Sequence, residues 1–215
     1  MSHSEQDSQS RLFKYGAFTK NRVETFSDGI FAIIVTLLIL EIKVPHIEDA
    51  GSSRELFNAI VILFPKFFSW VISFLTVCIV WVNHHRLFEM FKGINIVLFW
   101  MNVHLLLWVC FVPFPTALVG DYPQNPVAVA FYGVVMACAS FAFIITRLYG
   151  LKNTELLKET TSLVKYKRAI FFAIIFGPVF YLVAAGLAWV NTIISFAAYF
   201  LIAIYFVFAF GTHKE

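Results

Sequence analysis

The sequence predicts an all-α membrane protein with six transmembrane helices per subunit, and three observations carry that prediction. Of its 215 residues, 60% are hydrophobic and 13% charged, with a mean hydropathy of +0.80, a membrane rather than a soluble composition. Six apolar stretches each approach the roughly 20 residues that a helix needs to cross the hydrocarbon layer. The basic residues crowd into alternate connections, which is how membrane helices are oriented during insertion.

In chain order the spans fall at 26–44, 64–83, 94–117, 126–147, 169–189 and 192–210, with an interfacial helix over 54–62 before the second. Pro45 follows the first span, and Pro65 with Lys66 marks entry to the second. Pro113 and Pro115 sit late in the third. The run from Asp121 to Pro126 reads as a tight turn, and Asn191 is nearly the whole link between the last two spans, which predicts a hairpin. Met1–Thr19 is polar and lacks the apolar run of a signal peptide, so the first span is expected to be retained.

The chain reads as one six-helix domain over 1–215, with a cytoplasmic N-terminal segment at 1–20 and a cytoplasmic connection at 148–168. Placing the N-terminus inside puts thirteen of the sixteen Lys and Arg residues on the cytoplasmic side, leaving only Lys43, Arg54 and Lys66 outside. Both termini are then cytoplasmic. The polar segment Leu151–Lys167 is helix-compatible and lies near anionic lipid heads. No internal repeat is evident, and no basic tract is long enough to engage nucleic acid.

The most informative stretch is Arg22-Val23-Glu24-Thr25-Phe26-Ser27-Asp28-Gly29, which runs directly into Ile30–Leu40. An ionised residue costs roughly 2.5–3.5 kcal/mol at the centre of a membrane span on insertion scales, so Asp28, near the hydrocarbon core, is expected to have a partner or a function. At 100° per residue, Ile33, Leu37 and Leu40 share one stripe, with Thr36 at its edge and Asp28 about 140° away, facing its own bundle. Around a symmetry axis such a stripe makes stacked apolar rings of the kind that gate by dewetting. The expected partners of Asp28 lie in Trp81-Val82-Asn83-His84-His85-Arg86, at the same depth on the second span. The expectation is a structural polar network of Arg22, Ser27, Asp28, Trp81, His84 and His85, which fixes helix register when every member is satisfied.

Metal chemistry is disfavoured. His84 and His85 are adjacent and so diverge by about 100° on a helix. His104 stands apart in mid-span and is expected to hydrogen-bond inside the bundle. No metal and no cofactor is expected, and no enzyme. Cys78, Cys110 and Cys138 all lie in apolar runs and read as buried thiols. The run from Thr116 to Tyr122 loosely resembles a carbonyl filter loop, but it lacks a second glycine and a re-entrant helix, and reads as the turn after the third span.

Arg22-x-x-x-Phe26-Ser27-Asp28-Gly29, its continuation Ile30-Phe31-Ala32-Ile33 through Thr36-Leu37-Leu38 to Leu40-Glu41-Ile42, and Trp81-Val82-Asn83-His84-His85-Arg86 together resemble the signatures of the transmembrane protein 175 family, the endosomal and lysosomal potassium channels with their prokaryotic relatives. The resemblance implies a single-repeat prokaryotic type, a homotetramer in the cell inner membrane whose pore is lined by the first helix. It implies potassium permeation, with other monovalent cations possible, and no carbonyl filter. Ile33, Leu37 and Leu40 match constriction positions, and Thr36 matches a threonine linked to selectivity. Its partners would be potassium ions, membrane lipid and other copies of the chain.

The residues alone leave three readings open: a cation channel, a secondary transporter or proton pathway using Asp28 with His84 and His85, and a membrane enzyme built on the histidine pair. The transporter reading expects interrupted helices in paired positions, which the first span lacks.

Overall fold

The computed structural model describes residues 19–212, with side chains described as far as Phe206. Helix α1 (Lys20–Leu37) continues as a 3-10 turn over Leu38–Glu41. Short α2 (Ser53–Ile62) precedes α3 (Phe64–Glu89). Helices α4 (Ile96–Phe111) and α5 (Pro113–Asp121) are nearly continuous, and α6 (Pro126–Lys152) follows. Helix α7 (Leu163–Ile174) passes through a π-turn, Ile175–Val179, into α8 (Phe180–Leu187), and α9 (Thr192–Thr212) closes the described chain.

Five helical stretches are long and apolar enough to cross a membrane: Lys20–Glu41, Phe64–Glu89, Ile96–Asp121, Pro126–Lys152 and Leu163–Leu187. The sixth apolar helix, α9, is 21 residues long. The interfacial helix expected over 54–62 is α2, capped by Ser52 accepting from the Glu55 amide.

Several boundaries differ from expectation because hydropathy marks where a membrane ends, not where a helix does. The first helix starts at Lys20, where an i,i+4 pair of Lys20 with Glu24 at 3.6 Å supports the polar first turn. Helices α3 and α6 likewise run on to Glu89 and Lys152. The expected turn at Thr116–Tyr122 is largely helix α5. Pro113 and Pro115 start that helix, where missing N–H groups cost nothing, and the Val112 amide tightens back onto the Val109 carbonyl at 3.1 Å. Of the segment 151–167, expected to be helix-compatible, α6 takes the start as far as Lys152, a 3-10 turn covers Thr154–Leu156 and α7 begins at Leu163, leaving 157–162 as the non-helical link. The backbone of Lys92 donates to Leu156 and that of Lys158 donates to Met90, each at 2.8 Å, tying the α3–α4 connection to the α6–α7 connection. The expected hairpin forms: Asn191 caps α9 by accepting from the Ile193 amide at 2.8 Å.

The core centres on α6, of whose most apolar window 61% is buried, against 22–33% for the other spans. Small residues make this possible: Ala130, Gly133, Ala137 and Ala139 let neighbouring helices approach closely. At Gly133 a Cβ would overlap the Tyr199 hydroxyl and lie 2.9 Å from the Tyr181 carbonyl, so only glycine fits between α6, α8 and α9. Helix α1 joins this core through Val23, Phe31 and Ile34 and packs against α3 and α4.

Candidate functional site

One face of α1 is buried and the other is open. Val23, Ser27, Phe31, Ile34 and Leu38 recur at i, i+4, i+8, i+11 and i+15 and pack into the bundle. Ile33, Leu37 and Leu40 lie on the opposite side at 58%, 43% and 59% exposure, against 2% for the adjacent Ile34. The 3-10 turn aligns them further, because residues three apart eclipse at 120° per residue, bringing Leu40 over Leu37.

Thr36 is also exposed, its hydroxyl donating to the Ile33 carbonyl at 2.7 Å. The same hydroxyl lies 3.3 Å from the Ala32 carbonyl, so its proton is held by its own helix and its oxygen keeps its capacity to accept. The open face therefore carries branched apolar groups with one hydroxyl, that of Thr36, among them.

Behind it lies a directed hydrogen-bond chain. His84 Nε2 donates to Asn102 Oδ1 at 2.8 Å, Asn102 Nδ2 donates to Ser27 Oγ at 2.9 Å, and Ser27 Oγ donates to the Val23 carbonyl at 2.8 Å. All three side chains are buried. Since the amide oxygen can only accept, the proton sits on Nε2. The imidazole stacks on Phe88 at 4.2 Å and tilts against Phe31 at 5.5 Å. Helices α1, α3 and α4 are thus pinned at one depth by donors and acceptors in series, which fixes the rotation of α1.

The expected network residues divide into separate groups. Ser27 and His84 meet through Asn102, which is not among the expected members. Asp28 lies at the exposed edge of α1 and accepts from Trp81 Nε1 at 2.8 Å, not from a histidine. His85 points outward, 3.7 Å from Glu89 and stacked on Trp81. Arg22 is exposed at the start of α1, and its side chain makes no hydrogen bond among the described residues.

His104 also departs from expectation: it is exposed on α4, accepting from Trp108 Nε1 at 3.0 Å. Cys110 is exposed as well, while Cys78 and Cys138 are half-buried. Among the described residues no group of three His, Cys, Asp or Glu could hold a metal ion.

A second polar cluster went unread in the sequence. Ser73 Oγ lies 2.7 Å from Thr116 Oγ1 and 3.2 Å from the Tyr132 hydroxyl, joining α3, α5 and α6. A Ser, Thr or Asn within an apolar span is its only sequence signal, as it is for Asn102.

The chain is similar to known proteins. Over 199 residues the chain is 39% identical to a potassium channel of Chamaesiphon minutus, covering 86% of this chain and 92% of that one. The chain belongs to the TMEM175 family. The pattern of the family described as endosomal/lysosomal potassium channel TMEM175 matches residues 22–113, which hold the whole open stripe and every member of the His84–Asn102–Ser27 chain. A crystal structure described as a lysosomal potassium-selective channel TMEM175 homolog from Chamaesiphon minutus superposes with a TM-score of 0.77 at 33% identity, covering 88% of this chain and 97% of that one. A relative from Gallus gallus named endosomal/lysosomal proton channel TMEM175 is 26% identical over 174 residues, which span 78% of this chain but 34% of the relative. TMEM175 is a channel family, so the chain is an ion-transport membrane protein and its family is not one of enzymes.

Proposed function

We propose that this chain is a potassium-permeable cation channel in which four copies surround an axis lined by α1. The observation that carries the proposal is the division of α1: one face is locked to the bundle by the His84–Asn102–Ser27 chain, and the other leaves Ile33, Leu37 and Leu40 in line and exposed. Four such stripes make stacked apolar rings that offer a passing ion no ligands. Conduction is then controlled by whether water enters them. Thr36 supplies the oxygens in this stretch and is the candidate for cation preference, with no carbonyl-loop filter. The buried network is structural. The channel spans the inner membrane of a prokaryote six times, α9 being the sixth span, with both termini cytoplasmic.

A transporter or proton pathway through Asp28, His84 and His85 draws less support. A relay needs those groups connected, and here each has a different partner: Trp81, Asn102 and Glu89.

The test is current across a planar bilayer holding the purified protein, with reversal potentials read in opposed potassium and sodium gradients. The proposal expects single-channel steps reversing near the potassium equilibrium potential, and Thr36→Val is expected to move that reversal toward zero. Saturable flux without channel steps would refute it.

A further inference from the structure

A cleft of about 420 Å³ opens between α3, α6, the π-turn and α9, near the ends of α3 and α6 that carry Glu89 and Lys152. Its size is within the range of about 300–1,000 Å³ typical of ligand sites. Its walls are largely apolar and aromatic, with Phe172 and Phe176 prominent, and Arg86 and Arg147 both line it.

Arg147 is the unusual group. It is 8% exposed, and its Nη1 is buried with no hydrogen-bond partner. No ion pair among the described residues involves it, and the hydrogen bond that the Tyr166 hydroxyl donates goes to its backbone carbonyl. A guanidinium cannot shed its proton, so burial leaves a permanent charge that needs an anion.

The cleft is built into the fold. Gly177 leaves helical geometry at φ −96° and ψ −110°, and Pro178 lacks the amide that would continue the ladder. A Cβ at Gly177 would stand 3.0 Å from Ser140 Cβ, so the π-turn and α6 meet closely in the wall of the cleft. Arg147 lies five residues from the end of α6, about 7.5 Å along the axis, where lipid phosphates meet the upper acyl chains. At the mouth Phe172 and Tyr205 are exposed, and Lys165, Lys167 and Arg168 on the first turns of α7 are exposed nearby. The group that fits carries a phosphate at one end and hydrocarbon at the other.

We propose that this cleft binds an anionic phospholipid, its phosphate paired with Arg147 and its acyl chain lying along Phe172 and Phe176. The site is separate from the face of α1 and does not depend on the channel reading.

The test uses the full chain in detergent, read by native mass spectrometry and thermal unfolding with phosphatidylglycerol, phosphatidylcholine or inorganic phosphate. Phosphatidylglycerol is expected to be retained and to raise the unfolding temperature, while the other two do neither. Arg147→Met should weaken retention by at least about tenfold, since a hydrogen-bonded charge contact is lost, and Arg147→Lys by less. Ala173→Phe fills the cleft with the arginine intact and should also abolish retention, which decides the matter if Arg147→Met does not fold. Equal retention of phosphatidylcholine, an equal shift with inorganic phosphate alone, or unchanged retention in Ala173→Phe would overturn the proposal.

Discussion

At the scale of single residues, Asn102 holds the site together. Among the described residues its amide is the one group joining His84 to Ser27, since it can donate and accept at once. Asn102→Leu leaves the buried Nε2–H of His84 without an acceptor and should cost about 1–3 kcal/mol, seen as a lower unfolding temperature in detergent. Asp28→Asn keeps an oxygen for Trp81 at an exposed edge and should cost clearly less; the reverse order would mean that Asp28 is the keystone. His85→Ala removes only exposed contacts and should stay within about 0.5 kcal/mol. These ranks were not legible in the sequence. The motif marked Ser27, Asp28 and the histidines as a group, but Asn102 is 75 residues from Ser27 in sequence, and partner choice depends on how three helices rotate against each other. What could be read was the divergence of His84 from His85, because adjacent helical residues must separate.

At the scale of elements, the period of α1 was legible and its ends were not. Spacing alone placed Ile33, Leu37 and Leu40 on one stripe, and those three are exposed on the folded chain. The 3-10 turn that brings Leu40 over Leu37 leaves no mark in composition. The break at Gly177–Pro178 falls within a continuous apolar run, which reads as one span although Gly-Pro is a breaker signal. Close packing of α6 gives its own test. Gly133→Leu drives a side chain into Tyr199, Ala185 and the Tyr181 backbone, and should cost about 1–3 kcal/mol or prevent folding. Gly186→Ala meets nothing within 4 Å and should be tolerated, both read by thermal unfolding. Equal losses would mean that α6 does not pack as described.

At the scale of the whole molecule, five of the six expected spans followed from composition because the bilayer fixes their length, whereas an arrangement of copies around an axis would depend on surfaces that one chain alone does not pair. Orientation is testable with the native cysteines replaced. A cysteine at Asn153 should be labelled only from the cytoplasmic side and one at Asp49 only from outside, and the opposite pattern would invert the topology. The central claim is that the open face of α1 lines the ion path and is not a lipid-facing surface. Ile34 is buried, so a polar residue there would damage folding and could not serve as the comparison. Leu107 serves, being 64% exposed on α4. The decisive measurement is potassium flux from liposomes carrying Ile33→Asn or Leu107→Asn, at matched amounts of folded protein. The account predicts that Ile33→Asn wets the constriction and raises flux severalfold, while Leu107→Asn leaves it at the unmodified level. Equal flux from the two variants would contradict it and place the pore elsewhere.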